Sequence, residues 1–248
     1  MNSKNLLNIS DLTRENIDQI LDYAFRLREN NSDDLKNKNI GLIFEKYSTR
    51  TRLSFQVGIS QLSGNPIDIK FEELNLQRVE SFEDTFKVLS LYLDAIVFRT
   101  DDHLKLINAS KAFDKPIING LSDISHPCQI ISDLFTIKDH FNYLENITIS
   151  WFGDMNNVLF SYFELLTLFP EIKLNVFTHE DIYLNKKTKF PVSQNINFYF
   201  DLSSKIINQS DCIMTDVFTS MNDIDSTKEK ILKSFQVNKK IMDLRSEE

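Results

Sequence analysis

The segment Phe44-Glu45-Lys46-Tyr47-Ser48-Thr49-Arg50-Thr51-Arg52 sets hydroxyl side chains around an arginine at the predicted start of a helix. That arrangement suits an anion. Unpaired N–H groups and the helix dipole attract negative charge there, and the planar fork of Arg50 matches phosphate oxygens. The same residues also suit an ordinary N-cap followed by a solvated arginine pair, so spacing alone leaves both readings open. A second guanidinium follows in Arg99-Thr100, directly after the apolar run Ala95-Ile96-Val97-Phe98. Taken alone it is a surface cation. The stretch Asn119-Gly120-Leu121-Ser122-Asp123-Ile124-Ser125-His126-Pro127-Cys128-Gln129 then joins a strand to a helix. Pro127 suits the first helical position, which leaves His126 at the cap and Gln129 in the first turn. A lone loop histidine is ordinarily polar surface; this one shares a predicted crevice with two arginines and a helix N-terminus.

Those residues need a scaffold that gathers strand ends, and the hydrophobic pattern supplies one. A helix over Ser10–Arg28, capped by Ser10 or Asp11, carries Leu12, Ile17, Ile20, Leu21, Ala24 and Leu27 at helical spacing. Strands are predicted at Ile40–Phe44, Pro66–Phe71, Ala95–Phe98 and Pro116–Ile118. Helices fall between and after them at Thr51–Leu62 (stopping at Gly64), from the capping box Ser81-Phe82-Glu83-Asp84 onward, and at Asp102–Phe113 and Pro127–His140. A second series has strands Ile147–Phe152, Ile172–Phe177, Ile196–Phe200 and Cys212–Thr215, with helices Asn157–Phe169 and Asp225–Phe235. Alternation of this kind predicts an α/β fold: two Rossmann-like domains, each a mostly parallel sheet flanked by helices. In such sheets ligands bind at the carboxyl ends of the strands. The polar stretch Asn142–Asn146 marks the expected boundary, giving domains 1–143 and 144–248.

Composition excludes several alternatives. The net charge of -8 repels nucleic acid, though it permits a local basic pocket. No run approaches the ~18 apolar residues of a membrane span. The polar start Met1-Asn2-Ser3-Lys4-Asn5 does not read as a signal peptide, so a cytoplasmic location is expected. Without an export signal, the five Asn-x-Ser/Thr triplets, from Asn8 to Asn208, read as chance in an Asn-rich chain. Two cysteines, Cys128 and Cys212, and four histidines without paired spacing argue against a disulfide framework and against a metal site. A generic dinucleotide-binding protein would need a glycine-rich turn, which the five glycines do not form.

Ser48-Thr49-Arg50-Thr51-Arg52, Phe98-Arg99-Thr100 and His126-Pro127-Cys128-Gln129 resemble, in order and spacing, the carbamoyl phosphate site of the aspartate/ornithine carbamoyltransferase family. Phe152-Gly153-Asp154-Met155-Asn156-Asn157-Val158 resembles the Gly-Asp-x-Asn-Asn loop of the ornithine branch, and Thr215 to Met221 its Asp-x-x-x-Ser-Met loop. The resemblance runs from Leu7 to about Asp243. It implies transfer of a carbamoyl group from carbamoyl phosphate to L-ornithine, without a cofactor or catalytic metal, in a homotrimer. Ser48, Thr49, Arg50 and Thr51 would hold the phosphate, and Arg99, His126 and Gln129 the carbamoyl end. Arg50, Arg99 and His126 would be the catalytic residues, with His126, Arg99 and Thr51 stabilising the oxyanion. Asn157, Asp216, Ser220 and Met221 would grip the α-amino and α-carboxylate groups of ornithine, and domain closure would align the reactants.

The sequence departs from the family pattern in places. Met155 and Asn222 stand at usual glycine positions, as does Gln77, and Asn75 replaces a longer residue that reaches a neighbouring subunit. Of these, Met155 is the hardest to accommodate if a positive φ is required there. Asn157 also suits a plain helix cap. The family's His-Cys-Leu-Pro motif does not follow Ile241-Met242, although Arg245-Ser246-Glu247-Glu248 echoes the residues that come after it. Two alternatives follow: a relative acting on acetylornithine or putrescine, or an inactive homologue that binds carbamoyl phosphate without turnover.

Overall fold

The structure is a computed structural model describing residues 5–29, 32–74, 80–189, 193–218 and 226–244. Its elements run α1 (Arg14–Glu29), β1 (Asn39–Phe44), α2 (Thr49–Gln61), β2 (Asn65–Lys70), α3 (Phe82–Tyr92), β3 (Ala95–Arg99), α4 (His103–Ala112), β4 (Ile117–Leu121) and α5 (Pro127–Phe141). They continue with β5 (Thr148–Phe152), α6 (Asn157–Leu168), β6 (Lys173–Phe177), α7 (Glu180–Lys186), β7 (Ile196–Tyr199), α8 (Ser204–Asn208), β8 (Cys212–Thr215), α9 (Ser226–Leu232) and α10 (Lys239–Asp243). The chain divides into two compact units, Met1–Phe135 and Thr136–Glu248, and this division falls inside α5.

The first unit holds a parallel sheet in the order β2-β1-β3-β4. Successive residues of β1 and β3 are buried on opposite faces. Ile43, Ile96 and Phe98 pack with Phe86 and Phe113, whereas Leu42, Phe44 and Val97 pack with Ile59. A strand buried on both faces reads as a continuous apolar run, which is why these segments lack alternation. The edge at β4 is covered by the chain's own beginning: Leu6 N donates to Ile117 O (2.9 Å), and Asn119 N to Leu6 O (2.8 Å). The second unit repeats the design with a parallel sheet in the order β7-β6-β5-β8. Two parallel sheets flanked by helices are the α/β architecture that the alternation predicts.

Several local expectations are corrected. The first helix begins at Arg14, not Ser10. Thr13 caps it in a reciprocal pair, with Asn16 N donating to Thr13 Oγ1 and Thr13 N to Asn16 Oδ1, each 3.2 Å. Asp11 instead accepts from Leu7 N and Asn8 N in a preceding 3-10 turn at Ile9–Asp11. After α2 the left-handed position falls on Ser63 (φ 64°), and the following Gly64 is needed for space: a Cβ there would lie 2.8 Å from Ile59 Cγ2. β4 extends to Leu121 because the strand continues past Asn119-Gly120, a turn signal in sequence, through a register shift at Gly120: Asn119 pairs with Phe98 and Leu121 with Arg99. Helices α7, α8 and α10 lacked a legible apolar stripe. Among the described residues, no helix is long and apolar enough to cross a membrane.

Candidate functional site

Strand order reverses between β1 and β3 in the first sheet and between β5 and β8 in the second. At such a switch point the helices on either side leave from opposite faces and open a crevice at the strands' carboxyl ends. Both switch points carry the residues singled out by sequence: Ser48–Thr51 and Arg99 at one, Asn157 and Asp216 at the other.

In the first unit, Arg99 ends β3 in register with Phe44, the last residue of β1. Its Nη1 donates to Ser48 Oγ (3.0 Å) and Thr51 Oγ1 (3.2 Å). Ser48 is the N-cap of α2, yet its side chain makes no capping bond to that helix. The first N–H groups of α2 are therefore left to serve an incoming anion. Arg50 and Thr49 are exposed in the same first turn, and among the described residues no carboxylate pairs with Arg50. Arg52 behaves differently. It binds Asp68 at 2.8 Å and stacks over Phe44 at 5.1 Å, so the second arginine of the pair is structural.

Nearby acids are occupied. Glu45 is nearly buried, pairs with Lys105 at 2.8 Å and accepts the Thr100 hydroxyl. Asp101 pairs with Lys46 at 2.9 Å. This pairing keeps negative charge from opposing an anion. Burial pushes the Arg99 guanidinium below its ordinary pKa, a cost met by its two hydroxyl partners.

His126 caps α5, its carbonyl accepting from Gln129 N (3.1 Å) and Ile130 N (3.4 Å). It is 9% exposed. Burial first, then the Arg99 charge, lowers its pKa from 6.5 to about 4. At neutral pH it is therefore an uncharged imidazole, able to donate a hydrogen bond without a second cation beside Arg99. Burial raises the Cys128 thiol to about 12, so it carries no thiolate; its Sγ donates to Asn119 O (3.4 Å). Gln129 is exposed and directs its Nε2 to Asp133 Oδ1 (2.9 Å), along the helix.

The loop from Leu121 to His126 is held by buried polar groups that sequence reasoning passed over. Asn119, fully buried, donates through Nδ2 to Leu7 O (2.8 Å) and Ser125 O (3.1 Å), and its Oδ1 accepts from Leu121 N (2.9 Å). His103 Nδ1 lies 2.8 Å from Ser122 Oγ. Asn inside an apolar strand was the available signal, hidden because Asn-Gly reads as a turn.

In the second unit, Asn156 rather than Asn157 caps α6, accepting from Val158 N and Leu159 N at 3.1 Å each. Its Nδ2 also donates to Asp216 Oδ2 (2.7 Å). Asn157 is the first helical residue, with its Oδ1 3.1 Å from Val158 N. The positive φ of this loop falls on Gly153 (123°), where a Cβ would lie 2.7 Å from Phe218 Cε1. Met155 is fully buried and has no positive φ, so a side chain there is accommodated. Its carbonyl accepts Lys186 Nζ (2.6 Å), while Asp154 pairs with Lys186 (3.2 Å) and Lys228 (2.7 Å). Ser220 and Met221 lie outside the described residues, as do Asn75, Gln77, Asn222 and Arg245 to Glu248.

The chain thus holds two parallel α/β units, one with an arginine–hydroxyl cluster and a buried histidine at its switch point, the other with an amide–carboxylate pair. Comparison with known proteins is specific. The profile for the aspartate/ornithine carbamoyltransferase carbamoyl-P binding domain matches residues 4–139, and that for the Asp/Orn binding domain matches residues 145–248. The ornithine carbamoyltransferase of Methanococcus aeolicus is 36% identical over 249 residues, covering 96% of this chain and 82% of that protein. That of Bacillus thuringiensis is 34% identical over 253 residues, 98% and 79% respectively. Among solved structures, the ornithine carbamoyltransferase of Thermus thermophilus superposes with a TM-score of 0.85 at 28% identity, covering 98% of this chain and 82% of that one. The chain belongs to the aspartate/ornithine carbamoyltransferase family.

Proposed function

We propose that this protein transfers the carbamoyl group of carbamoyl phosphate to the side-chain amine of L-ornithine, giving L-citrulline and phosphate. The observation that carries this reading is the placement of Arg99 against Ser48 and Thr51 at the β1/β3 switch point, with an uncharged His126 close enough to feel its charge.

The phosphate is held by Ser48, Thr49, Arg50 and Thr51 at the start of α2, and the carbamoyl end by Arg99, His126 and Gln129. For that last contact Gln129 must exchange its bond to Asp133. The unprotonated amine attacks the carbonyl carbon. The C–O bond to phosphate then breaks, its electron pair leaves with the phosphate, and the proton lost by the amine passes to that departing phosphate. Charge on the carbonyl oxygen is met by donors from Arg99, Thr51 and His126, the electrostatic stabilisation from which such sites gain most of their rate. In the second unit, the carboxylate of Asp216 suits the α-ammonium of ornithine, and the amide of Asn157 its α-carboxylate. Ser220 and Met221 complete that set.

The domains are taken as 1–143 and 144–248, each serving one substrate. A homotrimer and a role in arginine biosynthesis accompany this reading and rest on family membership; a cytoplasmic location accompanies it from the polar start of the sequence. The experiment offers the purified chain carbamoyl phosphate with ornithine, acetylornithine or putrescine in parallel. Citrulline from ornithine in clear excess over the other products supports the reading. Preference for another amine redirects it, and carbamoyl phosphate binding without any product would make the chain an inactive homologue.

A further inference from the structure

We propose that His103 is a positioning residue for this reaction: uncharged, with its proton on Nε2, it accepts the Ser122 hydroxyl at Nδ1 and so fixes the turn that presents His126. The inference rests on the carbamoyl-transfer reading above.

His103 opens α4, four residues after Arg99, and is 5% exposed. It holds the turn twice. Its backbone N donates to Asp123 Oδ1 (2.8 Å), and its ring Nδ1 lies 2.8 Å from Ser122 Oγ. The direction of that second bond follows from counting. Ser125 N and Asn119 Nδ2 can only donate, and they approach Ser122 Oγ at 3.2 and 3.4 Å. The two protons of Asn119 Nδ2 go to Leu7 O and Ser125 O, so Ser125 N is the donor that Ser122 Oγ receives, and the hydroxyl has one proton to give. Ser125 O, at 3.3 Å, already accepts from Ser122 N (3.0 Å) and Asn119 Nδ2 (3.1 Å). The proton therefore goes to the nearer acceptor, His103 Nδ1, and the ring carries its own on Nε2. Ser125, clamped in this way, immediately precedes His126, whose carbonyl starts α5.

Protonating His103 would place an N–H at Nδ1 against the hydroxyl proton that Nδ1 now accepts, and the turn would lose its anchor. The charges facing the ring are Asp123, Asp11 and Asp102, all of which favour the imidazolium. Burial outweighs them and keeps the ring below its ordinary pKa. The same ring that stabilises the turn at neutral pH thus releases it in acid.

Two variants separate positioning from bulk. His103→Asn keeps an acceptor near the Nδ1 position and cannot titrate; His103→Phe fills the ring volume without an acceptor. The expected result is a fall in kcat of about 10- to 100-fold in His103→Phe, with the KM for ornithine little changed. His103→Asn should retain most activity at neutral pH, and its activity should persist to lower pH than that of the wild type. Long-range ¹H–¹⁵N spectra of the histidine rings should show His103 as the Nε2–H tautomer at neutral pH. Wild-type kcat in His103→Phe, an unmoved acid limb in His103→Asn, or a ring protonated at Nδ1 at neutral pH would each overturn the proposal. If His103→Phe does not fold, the other two readouts decide. Absence of citrulline from the wild type would instead sink the functional reading, and this inference with it.

Discussion

Arg99 Nη1 sits 3.0 Å from Ser48 Oγ, so the residue at the cap of α2 gives its hydroxyl to an arginine from the neighbouring strand rather than to its own helix. Ser48→Ala should therefore behave unlike an ordinary cap deletion, which costs about 1 kcal/mol. Stability in urea should fall by about as much, because half-buried Arg99 loses a partner, and kcat/KM for carbamoyl phosphate should fall roughly 10-fold with it. A variant that is destabilised yet fully active would show that the hydroxyl serves the helix.

His126 predicts a pH dependence of stability. Unfolded, its ring titrates near 6.5; folded, it titrates at about 4. Between these values the unfolded chain binds the extra proton, so acid favours unfolding. The contribution of a neutral His126 is full above pH ~6.5 and is lost as the pH falls to about 4, with an amplitude of about 3 kcal/mol. Denaturation of wild type and His126→Asn across that window should show a shallower slope in the variant. His103, depressed by burial, contributes in the same sense. Equal slopes would contradict the burial of His126.

Asn156 joins two functions. Replacing it with Ala removes the α6 cap and the bond to Asp216, so stability should drop by about 1 kcal/mol and the KM for ornithine should rise. Calorimetric titration with carbamoyl phosphate should give unchanged affinity, because that substrate belongs to the first unit. A loss of carbamoyl phosphate affinity would count against the division of roles.

Cys128 lies two residues past His126, where a reactive thiol would suggest covalent chemistry. With its pKa near 12, it should resist iodoacetamide at pH 8 in the folded chain and react once unfolded. Rapid labelling of the native protein would reopen a nucleophilic role.

Much of this architecture was legible because both sheets are parallel. Strands buried on two faces leave unbroken apolar runs, and each hands over to a helix at the crevice, so chemistry-bearing residues follow predictable positions. Ser48, Arg99 and His126 were found that way. What escaped was set by single hydrogen bonds. Asn156 and Asn157 are chemically identical, and only the backbone decides which one caps α6. Asn119 reads as a turn until Leu6 and Arg99 pair with its strand. His103 and Ser122, 19 residues apart, have no shared signature in sequence. Asp154 is acidic and nearly buried, a combination that only the paired lysines explain.

The central claim is tested most directly by citrulline formation at saturating carbamoyl phosphate and ornithine, measured side by side for the wild type and Arg99→Gln. Wild-type turnover with a loss of about 10²- to 10³-fold in the variant is the predicted result. Equal rates in the two proteins, or no citrulline from the wild type, would contradict it.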